Sequence, residues 1–226
     1  MKKPLLKLCA VASVLVLSAY ASAADTVDLA VTGTITMGSC TPTLSAASLD
    51  FGNISTAALA NTHQTAAKQS TLTITCASAM AVGFKFADDR VDSVDANNDG
   101  TVDVNNTTYG IGFTDVNKTT PLGNAVIGVG KNVVSNVDLS PQIDGANATI
   151  LKTTTINDAS SWVTADTKAD STFTYSVAAQ AGTQPQAFLN ASIPLSVALN
   201  LNSADKLNLT ADAPVDGQVT ISVVYL

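Results

Sequence analysis

An all-β fold is predicted by three observations. Apolar residues recur at every second position in several segments, and Gly, Asn, Asp or Pro bound those segments. No long stretch carries the 3.6-residue apolar period of a helix. Abundant Thr, Val, Ser and Ala, with sparse charged residues, agree with this.

Taken in order, Thr26 to Thr36 puts Val27, Leu29, Val31 and Ile35 on one face of a strand, and Ser70 to Cys76 does the same for Leu72 and Ile74. Met80 to Phe86 groups Val82, Phe84 and Phe86. Further strands are expected at Tyr109–Phe113, Ala125–Val129, Thr172–Ala178, Ile193–Leu201 and Val219–Tyr225, with a short helical turn at Ser55–Ala60. Many short strands at close spacing predict a β-sandwich of immunoglobulin-like type. The Asp- and Asn-rich segment Asp88–Thr108 reads as a long hairpin connection, and residues 140–170 are polar and weakly patterned. Both read as insertions on one sandwich, with no domain boundary.

The N-terminus gives the compartment. Lys2, Lys3 and Lys7 precede an apolar run from Leu8 to Leu17, and Ala21-Ser22-Ala23 supplies a small-residue cleavage pattern, so residues 1–23 read as a secretory signal peptide. The run is shorter than the roughly 20 residues that span a bilayer, and no membrane span is expected elsewhere. Cleavage leaves eight basic against eighteen acidic residues, a net charge of −10. That balance argues against nucleic acid or an anionic membrane as partner. Cys9 leaves with the signal, so Cys40 and Cys76 are expected to form one disulfide outside the cytoplasm. Two cysteines and the single His63 make an incomplete set for a metal.

The last strand is the most unusual. Val219, Ile221, Val223 and Tyr225 alternate with polar residues up to Ser222, and the sequence stops at Leu226. No following segment is at hand to cover its edge, and an uncovered edge offers unpaired backbone groups to any extended partner. Pairing with another chain is therefore expected there.

Together, the signal peptide, the alternating N-terminal segment, the stretch Val31-Thr32-Gly33-Thr34-Ile35-Thr36-Met37-Gly38-Ser39-Cys40-Thr41-Pro42, the second cysteine at Cys76 and the penultimate Tyr225 resemble a chaperone–usher fimbrial subunit. The likeness is greatest to the fimbrial-like proteins of gammaproteobacteria whose domain has no assigned function. It implies a pilin-type immunoglobulin-like sandwich that lacks its final strand and is completed by a donor strand from a neighbour. It further implies a periplasmic fimbrial chaperone, an outer-membrane usher and neighbouring fimbrial subunits as partners, and a place in the cell-surface fimbrium.

Under this resemblance residues 24–32 are the donor extension, with Val27, Leu29 and Val31 as its knobs, and residues 33–226 are the sandwich domain. The acceptor edge is Val219, Ile221, Val223 and Tyr225, with the carboxylate of Leu226 available to basic chaperone residues. The chain departs from the family at Ala213, where such subunits carry glycine, and in a donor segment without glycine.

Asp95, Asn97, Asp99 and Asp103 fall in a D-x-N-x-D-G pattern that fits a calcium loop, although Asn106 stands where a bidentate glutamate would close it. A plain Asn-Asp-Gly turn explains the same residues. No cofactor is expected beyond this candidate structural calcium. His63 reads as part of an exposed loop, and Trp162 reads as packing rather than as a platform for sugar. With no nucleophile–base set, an enzyme is not expected. The competing function is a tip adhesin or minor subunit that binds a host glycan or receptor.

Overall fold

Alternation in sequence carries through into burial. The computed structural model describes residues 38–61, 63–97 and 107–226, all within the unit Met37–Leu226. From Lys68 to Met80, the residues Ser70, Leu72, Ile74 and Cys76 are buried and those between them are half-buried or exposed. From Val82 to Asp88, Phe84 and Phe86 point inward while Lys85 and Ala87 are exposed.

The described residues form β1 (Cys40–Leu44), β2 (His63–Gln64), β3 (Lys68–Met80), β4 (Val82–Asp88), β5 (Tyr109–Gly110), β6 (Gly123–Val129), β7 (Gln142–Ile143), β8 (Ala146–Thr153), β9 (Val163–Thr164), β10 (Thr174–Ala179), β11 (Phe188–Leu201) and β12 (Val219–Tyr225). One helical turn, α1 (Ala204–Leu207), stands between the last two strands. The fold is all-β, as the sequence predicts. A single hydrogen-bonded path runs β1-β3-β11-β7-β8-β10-β4-β12, with β2 and β6 also on β11, β5 on β6, and β9 on β8. Its two ends, β1 and β12, approach each other where the backbone N–H of Cys40 donates to the Tyr225 hydroxyl at 3.1 Å. The sheet is thus nearly closed.

At the centre, the rings of Phe84 and Tyr175 stack with centroids 5.7 Å apart, and Phe86 meets both edge-on at 5.8 and 5.6 Å. Such aromatic groups add packing beyond the area they bury. The short turn expected near Ser55–Ala60 is a 3-10 turn over Thr56–Leu59, capped by the Ser55 hydroxyl, which accepts from Ala57 N–H.

Several expectations need correction. Asp88–Thr108 is not a hairpin connection: β4 is flanked by β10 and β12, while β5 pairs with β6. The chain therefore crosses between strands that are not neighbours. Only Tyr109–Gly110 of the expected strand 109–113 is extended, and Phe113 instead bridges to Pro121. Residues 140–170 contain β7, β8 and β9, with Asp144 and Gly145 at positive φ (47° and 81°) making the two-residue turn between β7 and β8. Trp162 is buried against Leu151 and Ala178, as packing requires. His63 is not in a loop; it is half-buried in β2 and paired with Leu201.

The buried tyrosines make a testable prediction. Burial pushes the Tyr175 phenol up to about 12, against an ordinary value of 10.0, and also raises that of Tyr109. Because the folded value is raised, this contribution to stability is complete below pH 10.0 and is lost as pH rises through about 12. In an ultraviolet titration, ionisation of Tyr109 and Tyr175 should coincide with alkaline unfolding. Gradual ionisation of both in a still-folded chain would contradict their placement.

Candidate functional site

Among the described residues β12 pairs on one side only. It runs antiparallel to β4 in continuous register, from Val219 opposite Asp88 to Tyr225 opposite Val82. Its other edge has no strand partner among those residues. The remaining margins of the sheet differ in kind: β2, β5 and β9 are two residues each, too short to template a partner. Beside β12 stands β1, which among the described residues is paired only with β3. Among the described residues, the unpaired edges of β1 and β12 thus face one seam.

Side chains along β12 suit a half-covered surface. Val219, Ile221 and Val223 are half-buried and packed on the core, with Thr220 and Ser222 exposed between them. Tyr225 continues the same alternation but is 54% exposed; it is held by its hydroxyl, which accepts from Cys40 N–H. It therefore clasps the seam at one end rather than filling the core. Cys40 is in turn fixed by its disulfide to Cys76, its register partner on β3.

Away from this clasp lies a cavity of about 1000 Å³. It lies between residues 48–56, which follow β1, and residues 207–215, which lead into β12. Phe51, Ile54, Leu59, Leu122, Leu201, Leu207 and Leu209 line it, all of them core residues or packed on the core. Asp50 and Asp212 are exposed beside it. Ala213, the position at which the chain departs from the resemblance, is one of its lining residues. Just before β12, Asp216 takes both Nε and Nη2 of Arg90, at 3.1 and 3.2 Å, anchoring the approach to the strand. The edge of β12 presents backbone donors and acceptors, the chemistry that pairs with an extended peptide, and the segment leading into it lines a cavity of mixed polar and apolar character.

The other sequence candidates fall elsewhere. Val27, Leu29 and Val31, with Asp99 and Asp103, lie outside the described residues. Asp95 and Asn97 are described, and Asp95 is already engaged: Oδ2 accepts from Lys206 Nζ at 2.7 Å and from Asn202 Nδ2 at 2.6 Å, and Oδ1 accepts from Asn97 N–H at 2.9 Å. Burial acts to raise the Asp95 carboxyl, but bonds from Lys206, Asn202 and Asn97 outweigh it and hold the group below its ordinary value of 3.8. The apolar residues of the cavity were not singled out from the sequence. Their signal is faint: Phe51 and Ile54 are large apolar residues in a loop, between Asp50, Gly52 and Asn53.

Two comparisons bear on this chain. A family model described as "Protein of unknown function (DUF1120)" matches residues 29–137. The chain is also similar to "Uncharacterized protein YhcF" of Escherichia coli (strain K12), with 29% identity over 230 residues, covering 91% of this chain and 93% of that relative.

Proposed function

We propose that the chain is a structural subunit of a bacterial surface fimbria, joined to its neighbours by donor-strand exchange. On this reading the nearly closed sheet is an immunoglobulin-like, pilin-type sandwich short of one strand, and the seam between β1 and β12 is where the missing strand lies. A periplasmic chaperone fills the seam first, and the N-terminal extension of the next subunit replaces it at an outer-membrane usher. Residues 1–23 direct export, residues 24–32 donate, and the finished fibre contributes to adhesion.

The observation that carries this proposal is the seven-residue edge of β12, unpaired among the described residues. Soluble proteins rarely leave such an edge open. Seating Val27, Leu29 and Val31 of a neighbour in the seam would contribute on the order of 5–9 kcal/mol before ordering costs. Backbone hydrogen bonds add to this, so long-lived linkage requires no catalytic group.

Deleting residues 24–32 separates the two halves of the mechanism. The shortened chain is expected to fold and to be captured by the chaperone, because its acceptor seam is intact. It should fail to pass its own strand to another subunit, and electron microscopy of the cell surface should show assembly halted after it. Normal fibres from the shortened chain would refute the donor role of this segment.

A further inference from the structure

The Asp95 loop, read from sequence as a candidate for calcium, has an internal cation. The Lys206 ammonium donates to Asp95 Oδ2 at 2.7 Å, to Asn202 Oδ1 at 3.3 Å and to the carbonyl of Asn97. Three oxygens thus meet the three protons an ammonium carries. The carboxylate is 7% exposed and the lysine side chain 31% exposed. A charge so placed is tolerable only when its partners are complete.

Around this pair the polar groups are matched. Asn124 holds the backbone of Asp95 from both sides, accepting from its N–H at 2.8 Å and donating to its carbonyl at 2.9 Å. The Asn202 amide donates to Asp95 and to the carbonyl of Pro121. Each tether adjoins the cavity. Asn202 follows Leu201, its N–H donates to the carbonyl of Leu122, and Lys206 precedes Leu207; all three leucines line the cavity. The turn that carries Lys206 and Leu207 is only four residues long and ends at Asn208 with φ of 43°. So short a helix has little stability of its own.

We propose that Lys206 is a positioning residue of the strand-acceptor seam: by tying α1 to Asp95, Asn97 and Asn202, it sets Leu207 and Leu209 as the wall on which an incoming strand packs. This rests on the strand-exchange reading. The ion pair therefore controls how long a strand is held, as well as how stable the fold is.

The test uses the chain from Ala24 and a fluorescent peptide with the sequence of residues 24–32, following peptide release by anisotropy after a chase. Lys206→Met and Asp95→Asn are each expected to release the peptide about tenfold faster than the unsubstituted chain, as loss of a charge-assisted bond at the wall implies. The double variant should be no worse than either single one. Val223→Asp serves as the control that removes the edge itself. If the unsubstituted chain holds the peptide, Val223→Asp loses it, and both ion-pair variants release it at the unsubstituted rate, the inference is overturned even if their melting temperatures fall. If the unsubstituted chain and Val223→Asp take up no peptide alike, the strand-exchange reading fails and this inference with it. Should Lys206→Met fail to fold, Asp95→Asn, which keeps the shape of the side chain, decides the matter.

Discussion

Replacing Ile221 and Val223 together by aspartate is expected to abolish uptake of an extended strand. The two side chains are half-buried on the core beside the seam, and completing their burial is part of what a bound strand gains. Losing the part of their burial that the strand completes, about 0.7–1.5 kcal/mol for each, weakens binding by roughly 10–10²-fold. A carboxylate trapped under the strand adds a desolvation cost on top. The expected result is loss of co-purification with the periplasmic chaperone and a fall in periplasmic yield. Ser222→Asp, on the exposed face between them, should leave both unchanged. That contrast separates an effect on the seam from a general effect of added charge.

Removing the disulfide should have the next largest effect. Cys40 and Cys76 close a loop with a sequence separation of 36, for which the chain-entropy model assigns roughly 3–4 kcal/mol of stability. In Cys40→Ala/Cys76→Ala, the urea midpoint is expected to fall, and the slope of the transition to rise because the unlinked unfolded chain is less compact. Geometry adds a local consequence. Cys40 is both the disulfide partner of β3 and the donor to Tyr225, so the clasp at the end of the seam should loosen with it. Amide exchange at Cys40 N–H should rise more than exchange in the β3–β11 pairing. Equal increases throughout the sheet would mean that the disulfide acts only through the unfolded state.

Legibility in the sequence followed the strength of the local signal. β12 was readable residue for residue because Val219, Ile221, Val223 and Tyr225 alternate with little interruption. The disulfide was readable by counting cysteines. β8 was not, because Ala146–Thr153 includes polar residues on both faces and its longest pairing is with β10, which comes later in the sequence. The Asp144-Gly145 turn between β7 and β8 was available as a hairpin signal, since that dipeptide favours the positive φ angles such a turn needs. The crossover after β4 could not be read locally, because which strands flank β4 is decided by β10 and β12. The Asp95 pattern was legible as a cluster of oxygens, but its lysine comes from 111 positions away. No local spacing rule could have supplied that cation.

The most direct test of strand acceptance at β12 is residue-resolved hydrogen exchange on the chain lacking residues 24–32, with and without the peptide of that sequence. Because β4 already takes one side of the strand, a newly paired second side should protect alternate amides from Val219 to Tyr225. Protection at those alternate amides, weakened by the Ile221 and Val223 substitutions, is the result the strand-exchange account predicts. Peptide binding that leaves the β12 amides unprotected, or no binding at all, would contradict it.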